Sequence, residues 1–142
     1  MFSDMVKLKY LLDTNILSDL IKQPQGYAAQ KIASLRNADS CCTSVIVACE
    51  LRYGALKKGS QTLTAKVDQL LETIEILPFG QNVEFHYARL RVALEHAGTP
   101  IGSNDLLIAS QASALGLTII TGNVKEFSRI PDLAVENWLT SE

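Results

Sequence analysis

The sequence predicts an α/β fold, a three-layer α/β/α sandwich around a central, mostly parallel sheet. Two observations predict it. Short apolar runs, KYLL at 9–12 and LTIIT at 117–121, have the length of strands buried on both faces. Between them lie longer segments with apolar residues at helical spacing, and strands that alternate with helices pair in parallel.

In order along the chain, KYLL is the first strand and ends at Asp13. Residues 14–22 place apolar side chains at 16, 17, 20 and 21, one face of a helix that stops before Pro24. A second short helix is expected over 27–36, then a brief strand over 41–43 with Ser44 as the next N-cap. The helix over 45–58 is strongly apolar and ends on Lys57, Lys58 and Gly59, residues that suit a helix C-terminus. Residues 62–73 read as an amphipathic helix and 75–79 as a strand or extended edge segment. A long helix over 82–97 closes at Gly98. Another over 105–114 closes at Gly116, with Ser103 or Asn104 as its N-cap. LTIIT is a β-branched buried strand, and 133–135 a last short one.

A length of 142 residues suits one core, so 1–142 is expected to be a single domain. Apolar residues make up 47% and charged residues 20%, which excludes a disordered acidic chain. No apolar run approaches the ~20 residues of a membrane span, and MFSDMVKLKYLLD lacks a signal-peptide pattern. Three cysteines, two of them adjacent at 41 and 42, make a poor disulfide framework, so a reducing cytoplasm is expected. Two histidines and no CxxC argue against structural zinc. The formal net charge of −2 excludes a basic nucleic-acid coat. Any RNA or DNA contact needs a local patch, for which Arg52, Lys57, Lys58, Arg89, Arg91, Lys125 and Arg129 are the candidates.

Ligands of open parallel sheets bind at the carboxyl ends of the strands. Asp13 stands at that edge, followed by Thr14 and Asn15, an alcohol and an amide able to orient a carboxylate or a water. All three are also good helix starters, so an ordinary strand-to-helix turn is the alternative. Glu50 lies inside the apolar SVIVACELRYGAL, either as an inward-facing ligand or as a satisfied polar residue with Arg52 or Lys57 nearby. Asp105 shares a helix face with Ile108, Ala109 and Ala112, and its alternative is an acid complementing the helix dipole. Three acids at element starts or on a core-like face carry charge where unpaired charge is costly. If they converge, their repulsion needs a cation, and hard carboxylate oxygens suit Mg²⁺ or Mn²⁺. Such a site polarises a phosphodiester and acidifies water. Asn123, in the TGN after LTIIT, is a fourth candidate through its amide, or simply a turn residue. There is no GxGxxG, P-loop or GxSxG; His86, His96 and Trp138 read as structural and the three cysteines as small buried hydrophobes.

Four segments, LLDTNILSDLI, ELRYGALK, IGSNDLLIASQA and IITGNVKEFSRIPDLAVENW, together resemble the PIN-domain toxins of VapC type, in the family's order and over nearly the whole chain. The resemblance implies a Mg²⁺- or Mn²⁺-dependent endoribonuclease neutralised by a VapB antitoxin encoded beside it. It places the family's first three acids on Asp13, Glu50 and Asp105 and its fourth position on Asn123, and it sets Glu126 aside. Asp13 and Asp105 would be the principal metal ligands, with Glu50 as ligand or water-orienting base. It further implies a homodimer, an antitoxin lying over the active-site groove, and operator DNA bound by the complex through the antitoxin. Two other readings stand beside it: a phosphotransfer or phosphatase domain phosphorylated on Asp13, and a non-catalytic binding module whose acids cap helices. The first lacks the usual DxD, since residue 15 is Asn.

Overall fold

The structure, a computed structural model, describes residues 7–80 and 82–140, leaving aside the side chain of residue 39. Residues 1–6 of the segment read for a leader lie outside the described residues. Five strands form one sheet: β1 (Tyr10–Leu12), β2 (Cys41–Ser44), β3 (Glu75–Leu77), β4 (Thr118–Ile120) and β5 (Val135–Glu136). Their order across the sheet is β3-β2-β1-β4-β5, and every pairing is parallel. In the centre, Leu11 stands opposite Cys42 on one side and Ile119 on the other. The helices are α1 (Thr14–Lys22), α2 (Tyr27–Ser34), α3 (Val45–Lys58), α4 (Gln61–Glu72), α5 (Val83–His96), α6 (Ser103–Leu115) and α7 (Val124–Phe127). They flank the sheet, completing the α/β/α sandwich the sequence predicts.

Local chemistry explains most boundaries. Ser44 caps α3 through a 3.0 Å bond from the Ile46 N–H, and Gly59 closes it in the left-handed conformation with φ +65°. Strand β3 ends at Leu77, because Pro78 has no N–H to continue a ladder. Three expectations need correction. Helix α6 begins at Ser103, and its N-cap position is Gly102, so neither Ser103 nor Asn104 caps it. The last strand is Val135–Glu136, later than 133–135, because its partners Ile119 and Ile120 fix the register. Helix α7, four residues long, is too short to show a periodicity and is absent from the sequence reading.

The strands and the inner helix faces bury Leu11, Ile16, Leu17, Cys42, Val47, Ile119, Ile120 and Phe127 completely. Trp138 packs edge-on against Tyr10, with ring centres 4.9 Å apart. Cys41 and Cys42 are buried as their residue type suggests, but Cys49, expected among the buried cysteines, lies on the solvent side of α3 and is exposed. Burial pushes the Cys41 thiol up to about 11 and the Cys42 thiol to about 12. Among the described residues no helix is long and apolar enough to cross a membrane.

Travel across the sheet runs from β1 to β2 to β3, then returns past β1 to β4. That reversal leaves a crevice between the carboxyl ends of β1 and β4. The core supports this crevice directly, so truncation of Leu11 in the central strand, Leu11→Ala, is expected to cost about 2–5 kcal/mol. Leu56→Ala, at a side chain 73% exposed, should stay within about 0.5 kcal/mol of the parent. Urea-unfolding midpoints check both.

Candidate active site

Asp13 continues the β1 ladder by one residue, its N–H donating to the Ile120 carbonyl at 3.0 Å. The chain then turns into α1, and Asp13 Oδ1 accepts the Ile16 N–H at 3.1 Å. Asp13 is therefore an N-cap, as its residue type allows, yet it is only 5% exposed. Burial is the main reason its carboxyl is pushed up to about 6. Hydrogen bonds from the Thr121 hydroxyl and the Ile16 and Asn15 N–H groups pull the other way, and the charge of Glu50 adds to the rise.

Glu50 comes from the second turn of α3, which β2 delivers to the same edge. The Thr14 hydroxyl donates to its Oε1, and Asn104 Nδ2 donates to its Oε2 at 3.1 Å. Thus α1 and α6 both grip the side chain of α3. The ion-pair alternative does not hold: Arg52 pairs with Asp68 on α4, and Lys57 lies over the Tyr53 ring at 5.7 Å.

Asp105 sits in the first turn of α6, where the helix dipole favours negative charge. Its carboxyl is nonetheless pushed up to about 7, first by burial, then by a hydrogen bond to Glu126 and the charges of Glu126, Asp13 and Glu50. Glu126 is held below the usual range, chiefly by that same bond to Asp105. It also accepts the Gly102 N–H at 3.2 Å and a bond from the Asn123 side chain, and feels the charge of Arg129. The two carboxyls titrate as a linked pair, Asp105 pushed up and Glu126 held low.

The structure brings Asp13, Glu50 and Asp105 within electrostatic reach of one another, and Thr14 orients Glu50 as its hydroxyl suggested. Asn123 reaches the cluster by way of Glu126. Sequence reasoning set Glu126 aside and saw Asn104 only as a cap. The signal for Glu126 was its place three residues after Asn123, one helical turn on. Among the described residues, no Lys, Arg or His forms an ion pair with Asp13, Glu50 or Asp105. Nor do any three acids stand in a ready ligand arrangement. Asp13 and Glu50 instead turn to local donors, and Asp105 to Glu126, as unscreened carboxylates do. The donor set is oxygen alone, which fits a hard divalent cation such as Mg²⁺ or Mn²⁺ and does not suit zinc.

The sequence pattern of the PIN domain matches residues 10–133. The chain is 44% identical over 131 residues to ribonuclease VapC2 of Rickettsia felis, covering 91% of this chain and 97% of that protein. It is 33% identical over 132 residues to the tRNA(fMet)-specific endonuclease VapC of Salmonella typhimurium, covering 92% of this chain and 98% of that one. Its fold superposes with a TM-score of 0.86 and 40% identity on a chain of the Rickettsia felis VapBC2 structure bound to a promoter DNA fragment. That match covers 92% of this chain and 99% of the other.

The acid cluster dictates how stability depends on pH without metal. Asp13 and Asp105 titrate at about 6 and about 7 when folded but near 3.9 when unfolded, so between these values the folded chain binds more protons. Stability therefore falls as pH rises through that window. Glu126, held low, contributes oppositely but only below the ordinary carboxylate range. In EDTA the melting temperature should drop between about pH 5 and about pH 7.5, and Asp13→Asn or Asp105→Asn should flatten the drop. Melting curves of the three proteins at several pH values decide it.

Proposed function

The chain belongs to the PIN-domain family, and from that premise we propose that it is a metal-dependent endoribonuclease, the toxin of a type II toxin–antitoxin pair. One observation carries the reading: carboxylates from four separate helices and turns come within electrostatic reach of one another at one sheet edge, and among the described residues no cationic side chain is paired to the first three. The nuclease names of its relatives agree with it. All of 1–142 is read as one PIN domain acting in the cytoplasm.

Asp13, Asp105 and Glu50 would hold Mg²⁺ or Mn²⁺, and Glu126 joins them as a fourth oxygen donor. When bound, the ion supplies Lewis-acid polarisation of the phosphodiester and makes water more acidic. Thr14 and Asn104 occupy one oxygen each of Glu50 and so fix the direction in which its carboxylate can accept a proton from water. Asn123 and the Gly102 N–H hold Glu126 against Asp105. Asp105, its carboxyl pushed up by burial and by Glu126, must lose its proton before it can serve as a ligand, so metal affinity rises with pH.

The partner reading rests on a groove of about 170 Å³ between α1, α3 and α4. Ile21, Leu51, Leu63 and Val67 line it, and it opens at Thr14 and Glu50. A VapB-like antitoxin segment would lay an apolar stretch along this groove and reach a basic side chain, best an arginine fork, into the acids. Complexes of this kind have been solved for relatives, one of them on promoter DNA. Operator DNA would likewise be held through the antitoxin. Exposed Tyr53 and Leu56 on α3, and Phe85 and Val92 on α5, support a homodimer.

Asp13→Asn and Asp105→Asn should each lower RNA cleavage by about a hundredfold or more while the protein stays folded. Cleavage by the parent should vanish in EDTA and return with Mg²⁺ or Mn²⁺. Undiminished cleavage by purified mutant protein would rule out this site. For the groove, Ile21→Glu should weaken inhibition by the cognate antitoxin by more than about tenfold and leave cleavage intact. Titration of antitoxin into the cleavage assay measures it, and unchanged inhibition would place the partner elsewhere.

A further inference from the structure

A second cavity, of about 150 Å³, lies between α5 and the loop that leads into α6. Its floor is apolar, made by Leu94 and Leu106, both buried. Its walls are Tyr87, Arg91, Glu95, Pro100, Ile101 and Ser103. Tyr87, Arg91 and Glu95 are fixed relative to one another: Arg91 Nη1 donates to the Tyr87 hydroxyl at 3.0 Å, and Nε donates to Glu95 at 3.1 Å. The guanidinium is thus a held plane beside an aromatic ring.

The wall toward the acid cluster is one chain thick. Pro100 and Ile101 line the cavity, while the Pro100 carbonyl accepts Arg129 Nη1 at 3.0 Å and the Gly102 N–H donates to Glu126. Both anchors belong to the α7 segment, on the acid side. Ser103, on the cavity side, starts the helix whose first turn carries Asp105 two residues on. A hydrogen-bonded partition therefore separates an apolar slot with a polar rim from the place where a phosphodiester would be cut.

We propose that this cavity is a subsite for one unpaired nucleobase of the RNA substrate, beside the bond that is cleaved, a proposal that rests on the ribonuclease reading above. Single-stranded RNA is recognised by bases splayed onto aromatic rings and guanidinium planes, with an apolar floor to desolvate them. The base enters between Tyr87 and the loop, and Arg91 and the Ser103 hydroxyl face its polar edge. Because the partition is fixed on the acid side, choosing a base also chooses a bond.

Two measurements test it. Backbone-amide spectra of the protein are recorded with each of the four ribonucleoside 5′-monophosphates and with ribose 5-phosphate, which has no base. At least one nucleotide should shift the amides of Tyr87, Ile101 and Ser103, and ribose 5-phosphate should not. Ile101→Trp, which fills the cavity, should abolish those shifts, and Tyr87→Ala serves if that variant does not fold. In cleavage of random-sequence single-stranded RNA with Mn²⁺, the parent should prefer a base at one position beside the cut. The variant should lose that preference, with KM raised about tenfold, the low end of what one stacked base contributes, and kcat nearly unchanged. Equal shifts from ribose 5-phosphate, no cavity shifts from any nucleotide, or an unchanged preference and KM in a folded variant would overturn the proposal. Absence of any cleavage by the parent would instead overturn the ribonuclease reading, and the amide spectra would still decide whether a base binds here.

Discussion

Parallel strands must all end at the same edge, and here the strands are so short that little else separates their ends. Each of the five spans only two to four residues, so the turns after β1, β2 and β4 lie close together in space. Whatever the chain places directly after a strand is delivered to one spot. It places Asp13 there after β1, the helix that carries Glu50 after β2, and Thr121 with Asn123 and Glu126 behind it after β4. Mutual repulsion is the cost of that convergence, and the hydroxyl, amide and N–H donors around the acids offset part of it.

Several groups here serve the fold and the site together. Asp13 closes the start of α1 with one oxygen and belongs to the acid cluster as a whole. Thr43, completely buried, donates its hydroxyl to the Leu12 carbonyl at 2.7 Å, binding β2 to the residue just before Asp13. The capping alternatives weighed for the acids were thus not rivals to a functional role. In a sheet edge this compact, a side chain that finishes a helix also faces the crevice.

The central strands were legible because fully buried strands read as unbroken apolar runs, and the helices because their faces repeat and their ends carry glycine. Tyr10–Leu12 and Val45–Lys58 are the clearest cases. What escaped were features without a local signature. Helix α7 has too few residues for any period, and with it went the placement of Glu126 against Asp105. Asn104 was read as a cap from its residue type alone. Only the tertiary approach of α3 to α6, invisible in the chain order, turns its amide toward Glu50. Glu50 and Asp105 stand out because a carboxylate on an apolar face is a local anomaly, and Asp13 because it ends a buried strand, whereas Glu126 is marked only by its spacing from Asn123.

The distribution of thiols has a practical side. Cys41 and Cys42 are locked in the sheet with their protons held well above neutral pH, so they present no thiolate to a reagent. Cys49 is the remaining cysteine of the three, exposed on α3 and adjacent in sequence to Glu50. A maleimide dye or spin label added to the unmodified protein will therefore attach at a single address, next door to the acids. The chain carries its own reporter position for watching RNA or an inhibitor arrive, with no engineered residue required.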